Sequence, residues 1–322
     1  MIIAPSKKLI VPPYKRFRSL DEAMRKADDG HSIDLWATVE VKDPNGFSQG
    51  RTSFRCHSFL KQFIDYLVSK TREGWIASVD WAGNSRSIQS TGLSSPTLSF
   101  DMATSIPWQG PCVGTGLTAP TINDYKLEKP VWHGTGAANL SVYSGTATST
   151  YWTDPIHYVS KTAAGWTVNA FANMTLAYTS GAANGWEGRI DNNTATLCYT
   201  GQTGFAGNGN HQQAFPTANP GATPTFVVKN YGQLTYSTIA ISVPTDDGAL
   251  QSKFSISRDF TNNQGGNFTV NECGLHASMA VGTIGSYIHS FPFLIVRDVL
   301  GSPVTLANGQ IMTLTYNFIC NA

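Results

Sequence analysis

The first chemistry to weigh lies in Gly114-Thr115-Gly116-Leu117-Thr118-Ala119, which has the G-x-G-x-x-[GA] spacing of a dinucleotide site. That spacing works only when a strand feeds it and a helix opens inside it, so that the helix N-terminus meets a pyrophosphate. Pro111 precedes the run, Pro120 follows it, and the next residues are poor helix formers. The run is therefore expected to be a glycine turn beside a strand, and no cofactor is expected. Among the seven histidines, none stands two, three or four residues from another, and neither HExxH nor CxxC occurs, so no metal centre is expected. Asp154 and His157 are separated by Pro155, which keeps them off a shared helix face. Asp246-Asp247-Gly248 lacks the run of oxygen ligands that calcium needs and reads as a polar loop. No two acids stand out as a facing pair for glycoside cleavage. The reading is of a protein that is not an enzyme.

Other residues suggest contacts rather than catalysis. Glu272 and Arg297 are lone charges in apolar, strand-like surroundings. They are expected to pair, or to bond strand-end amides, inside a sandwich or at a subunit interface; the bland alternative is two ordinary rim charges. Asp298 belongs with them as an assembly candidate. Gly274 is expected where a side chain would be blocked by backbone conformation or close contact. Lys7, Lys8, Lys15, Arg16 and Arg18 form a basic arm without an acid among them, and Pro12-Pro13 keeps it extended. Three readings of the arm stand side by side: phosphate neutralisation on nucleic acid, docking on an acidic partner protein, or simple solvation. Trp152, Tyr158, Trp166, Trp186 and Phe205 could stack on sugars or pack a core.

The elements that would position these groups are mostly strands. Ile33, Leu35, Ala37, Val39 and Val41 alternate with polar neighbours, giving a strand that ends in the turn Asp43-Pro44-Asn45-Gly46. Ser19-Leu20-Asp21-Glu22 has the form of a capping box for a short helix to about Asp28. Phe59, Leu60, Phe63, Ile64 and Leu67 make the apolar face of a helix over about 58–71, and Trp75, Ala77, Val79 and Trp81 alternate again. From residue 91 the chain reads as strand and turn. Ile239–Val243, Phe254–Phe260 and Met312–Cys320 alternate, and Asn308-Gly309 predicts a type I′ hairpin turn. Gly, Ala, Asn, Gln and Pro crowd 180–224, which reads as long surface loops.

Composition bounds the rest. Charged residues are only 13% of 322, about half the usual ~25%. Mean hydropathy is −0.15 and no apolar run reaches the ~20 residues of a membrane helix, so no membrane partner is expected. Sixteen Phe, 12 Tyr and 8 Trp argue against disorder. Five widely spaced cysteines read as buried thiols in a reducing compartment. Residues 1–90 hold 24 of the 43 charged side chains. The fold class expected is mainly β: an α+β region at 1–93 carrying the basic arm, hinged near Ser94-Ser95-Pro96, then a β-sandwich or jelly-roll-like domain at 94–322.

Three stretches together suggest a family. Val113-Gly114-Thr115-Gly116 with Asp124-Tyr125-Lys126-Leu127 and His133-Gly134 is the first. Phe260-Thr261-Asn262 followed by Val270-Asn271-Glu272-Cys273-Gly274-Leu275 is the second. Phe293-Leu294-Ile295-Val296-Arg297-Asp298-Val299-Leu300, with Pro303-Val304 and Asn308-Gly309-Gln310 leading into Leu314-Thr315-Tyr316, is the third. In this order they resemble segments of tailed-bacteriophage virion proteins, over about a third of the chain. The resemblance implies a β-rich, oligomeric particle component of the capsid-decoration, head-fibre, collar or tail-fibre type, with a homotrimer favoured and with no catalytic residues to carry over. It implies other virion proteins as partners: capsid, portal, collar or tail. A receptor- or glycan-binding fibre module and a polysaccharide depolymerase are the alternatives, with host surface glycan as partner. A capsid protein facing the genome through its basic arm is a further one.

Overall fold

A computed structural model describes residues 32–321 apart from 57–58, 72–74, 82, 90–108, 154–155, 202–215, 217, 247–250 and 285–286. The basic arm, the capped helix after Ser19, the expected hinge and Phe205 lie outside the described residues.

The chain opens with β1 (Ser32–Lys42), β2 (Ser48–Arg55), helix α1 (Lys61–Thr71), β3 (Trp75–Val79), β4 (Ser85–Gln89), β5 (Gly110–Gly114) and β6 (Trp132–His133). A middle stretch follows with β7 (Asn139–Thr146), β8 (Ser149–Thr153), β9 (Ile156–Ser160), β10 (Thr175–Tyr178), β11 (Glu187–Arg189), β12 (Asn192–Asn193), β13 (Leu197–Gly201) and β14 (Thr225–Asn230). It closes with β15 (Gln233–Tyr236), β16 (Ala240–Ile241), β17 (Thr245–Asp246), β18 (Gln251–Thr261), β19 (Phe268–Ile284), β20 (Tyr287–Leu306) and β21 (Ile311–Asn321). The protein is mainly β, with α1 alone as helix among the described residues.

Two sheets make the main body. The first runs β2-β1-β21-β18-β15-β6, with β16 and β17 also on β18. The second runs β20-β19-β4-β3, with β5 also on β19. Alternation explains the first sheet. The side chains Leu35, Ala37 and Val39 of β1 and Met312, Leu314, Tyr316 and Phe318 of β21 all point to one face, where they are buried. They meet Val270, Leu275 and Ala277 of β19 and Phe291, Phe293 and Val296 of β20 in one core. Burying each such large side chain is worth about 1.5–3 kcal/mol. The second sheet is buried on its other side as well, where Leu60, Cys112, Leu127 and Leu294 form a smaller cluster. That is why β20 shows an unbroken buried run from Phe291 to Asp298.

β1 pairs with β21 over eleven residues, from Ser32↔Asn321 to Lys42↔Ile311. β1, from the charge-rich first 90 residues, and β21, from the charge-poor remainder, therefore share a sheet and a core. The step in composition near residue 93 does not separate these layers. A second core lies instead within 139–230, where β11-β10-β14-β7 and β12-β13-β9-β8 enclose Val159, Phe171, Leu176, Tyr178, Ile190, Cys198, Phe226 and Val228. This insertion leaves the main body at β6 and returns at β15, and those two strands pair in parallel, Trp132 with Gln233. The 180–224 stretch, expected as loops, contains β11, β12 and β13. Two of these strands, Glu187–Arg189 and Asn192–Asn193, are only three and two residues long, too short to show an alternation.

The turn before β21 also departs from expectation. Only Gly309 is left-handed, at φ 84°, and Gln310 N–H donates to Ala307 C=O at 3.0 Å. A positive φ at the second central residue alone fits type II, whereas type I′ needs two. Asn262 fixes this arrangement: its C=O accepts from Gly309 N–H at 2.7 Å and its N–H donates to Gln310 C=O at 3.0 Å.

Candidate functional site

Glu272 and Arg297 do pair, and both are buried, at 0% and 3% exposure. Glu272 lies on β19, opposite Gly114 of β5. Arg297 lies on β20, opposite Gly274. Arg297 Nε donates to Glu272 Oε2 at 2.9 Å, Nη1 to Asp124 Oδ2 at 2.6 Å and Nη2 to the Thr118 carbonyl at 3.0 Å. The Glu128 carboxylate stands 3.8 Å from Nη2. Glu272 also accepts from three backbone amides: Gly116 at 3.0 Å, Lys129 at 2.9 Å and Glu128 at 3.1 Å. A carboxylate so surrounded has its lone pairs satisfied, which is the condition for tolerating a buried charge.

Burial pulls the Arg297 guanidinium down, but bonds to Asp124 and Glu272 outweigh it and leave the group above its ordinary value. The Thr118 and Leu117 amides, at 2.7 and 2.8 Å, hold the Glu128 carboxyl below the usual carboxylate range. Asp124 caps its own turn by accepting from Thr121 N–H and Oγ1–H at 2.9 and 2.7 Å. The result is an ionic knot that fastens residues 114–131 across the back of the second sheet.

The glycine run now has a physical reason. A Cβ on Gly114 would lie 2.4 Å from Glu272 Oε1, and one on Gly116 would lie 2.6 Å from the same atom. Both glycines make room for a carboxylate, not for a phosphate. Gly274 is also a close contact: a Cβ there would sit 2.9 Å from Leu294 Cδ1 and from the Val296 carbonyl. Asp298 is buried opposite Cys273, but it is not part of the knot. Together with burial, its charge pushes the Cys56, Cys273 and Tyr316 groups up. All five cysteines are free thiols; Cys112, Cys198 and Cys273 are buried, Cys56 is half-buried and Cys320 is exposed. Asp124 and Glu128 were not singled out by residue type, although Asp124 falls within the first resemblance stretch.

The aromatic candidates divide. Trp166 packs against Tyr143 and Phe171 in the insertion core, at 5.2 and 5.5 Å between ring centres. Trp186 packs on His157 at 5.5 Å. The Trp152 side chain lies outside the described set. Tyr158 is on the outer face of the insertion, in register with Tyr151 and Tyr199 across three strands. Its ring stacks on Tyr151 at 5.3 Å and 10°, and meets Tyr199 edge-on at 5.3 Å. The alternate residues His157, Val159, Cys198 and Thr200 are buried beneath. Among the described residues no three His, Cys, Asp or Glu side chains gather as a metal site, and no helix is long and apolar enough to cross a membrane. Comparisons of the chain with protein-family models, curated proteins and solved structures find no match.

Proposed function

We propose that this chain is a structural component of a bacteriophage virion. It assembles through its β-rich body into a homotrimer and attaches to capsid, portal, collar or tail proteins through its N-terminal region with the basic arm. The observation that carries the reading is convergence. Asp124, Glu272 and Arg297 come one each from the three resemblance stretches, and they meet in a single buried knot. Stretches scattered over 113–318 thus act as one structural unit. A surface poor in charge adds support, because it can pack against copies of itself with little desolvation cost. Mass photometry of the purified chain and a density map of the encoding phage test this. A trimer in solution and density at a defined particle location with a fixed copy number are the expected results. A monomer missing from purified particles overturns the reading.

One observation favours a second reading, a glycan-binding module. The Tyr151-Tyr158-Tyr199 row lies on the insertion's outer face, with Tyr151 41% exposed. Glycan-array binding that vanishes in Tyr158→Ala would support it.

A further inference from the structure

The four-stranded sheet β12-β13-β9-β8 has an outer face that neither the knot nor the cores use. Tyr199, Tyr158 and Tyr151 stand in register there on three neighbouring strands. Leu197, Ser160 and Ser149 form the row beside them. Strands lie about 4.8 Å apart, so the rings follow one another at one-strand intervals, with 5.3 Å between ring centres at both steps. The Tyr151–Tyr158 stack is offset, because 5.3 Å exceeds the ~3.5–4.0 Å of direct carbon contact. Part of each ring face therefore stays uncovered. The three phenols make ring contacts but no hydrogen bond among the described residues, so each also offers a hydroxyl that can donate and accept.

Charge narrows what fits this face. None of the seventeen residues in β8, β9, β12 and β13 is Asp, Glu, Lys or Arg. The one histidine, His157, is buried beneath and bonded to Tyr178. A phosphate backbone would find no cation on these strands to neutralise it, and a uronate or sialate would find no counter-charge. The anchors of a protein interface gather into a fully desolvated cluster, whereas these rings stand in single file with serine hydroxyls alongside. Alternating apolar ring and hydroxyl suits a ligand whose own surface alternates C–H and O–H groups.

We propose that the Tyr151-Tyr158-Tyr199 row binds an uncharged, linear glycan laid across the strands, with successive sugars meeting successive rings. The proposal rests on the glycan-binding reading and narrows it to neutral chains of more than one sugar.

The test is a glycan array carrying linear gluco-, galacto-, manno- and xylo-oligosaccharides, their single sugars, and oligogalacturonate and sialylated chains. The intact protein is expected to bind at least one neutral chain, about tenfold or more tighter than its single sugar, with an affinity unchanged between low and high salt. Tyr158→Ala and the more exposed Tyr151→Ala, each with its melting checked, are expected to weaken that binding by about tenfold. Tyr158→Phe, which keeps the ring, is expected to retain most of it. Binding confined to acidic chains, or equal affinity for the single sugar, overturns the proposal and leaves the broader glycan reading standing. Undiminished binding in both folded alanine variants places the sugar elsewhere and also overturns it. No binding to any glycan removes both, and self-association lost in Tyr158→Ala would then assign the row to a second copy of the chain.

Discussion

At the scale of single residues, Glu272 is the most consequential side chain among those described. It is fully buried and holds one guanidinium and three amides. Glu272→Ala leaves Arg297 with Asp124 and the more distant Glu128 as its acids and strands the Gly116, Glu128 and Lys129 amides. Breaking a buried pair by removing one partner costs about 3–5 kcal/mol, and orphaned amides add to the loss. Equilibrium urea denaturation of Glu272→Ala should show a loss of that order. Glu272→Gln, which keeps an acceptor oxygen, should lose less. Unchanged melting of the alanine variant would remove the knot's structural role. The pair itself was legible in sequence only as one of two readings, the other being two ordinary rim charges, because a charge in an apolar strand must find a partner or stay at the surface. Its other members were not. Asp124 and Glu128 lie in a polar stretch where nothing in residue type separates a buried contact from a solvated one.

At the scale of elements, the long central hairpin of β19 and β20 explains both what could be read and what could not. Strands with one buried face, such as β1 and β21, alternate cleanly and were readable within a residue or two. The β19–β20 pair slips register three times; at Leu275/His276 the partner jumps from Val296 to Leu294. Each slip breaks the period of two, and burial on both faces erases what remains of it. The partnership of β1 with β21 joins opposite ends of the chain, and no local pattern reports it. Glycine roles at the knot follow from the same packing. In Gly114→Ala the new methyl would lie 2.4 Å from Glu272 Oε1 and 2.7 Å from the Lys129 carbonyl, and neither atom is free to move. A loss of about 1–3 kcal/mol is expected from such overpacking. Gly301→Ala, on β20 with nothing within 4 Å, should stay within about 0.5 kcal/mol of the parent. Paired thermal melts compare them; equal shifts would show that the carboxylate seat is looser than the distances state.

At the scale of the whole molecule, two cores share one chain, and each holds a buried histidine. His157 is in the insertion, with Nε2 2.8 Å from Tyr178 Oη and Nδ1 on Thr200 Oγ1. His276 is in the main body. Burial pushes both down to about 3 from an ordinary 6.5. Partial burial lowers His133 in the same direction. The unfolded chain therefore binds protons near pH 6.5 that the folded chain refuses until about pH 3. Between those values the unfolded state holds more protons, so stability falls as pH falls. The contribution is complete above pH 6.5 and is lost progressively below it, at up to about 1.4 kcal/mol per pH unit for each histidine. Among carboxyls, Glu40, lowered first by Ser48, and Glu128, lowered first by the Thr118 amide, add losses only near and below their ordinary 4.5. Among the described groups, the window from pH 6.5 to 4.5 thus reports the histidines. Urea midpoints measured across it should fall steadily. His157→Gln, which keeps hydrogen-bonding capacity without the titration, should flatten that slope even if its stability is lower throughout. The form of the transition then tests how the cores are joined at β6 and β15. If body and insertion unfold as one unit, the His157 change alters the slope of a single transition. If they unfold separately, it alters only the insertion's step and leaves the step carrying His276 unchanged. A slope identical to the parent's in every resolved step would show that His157 does not stay neutral in the folded core.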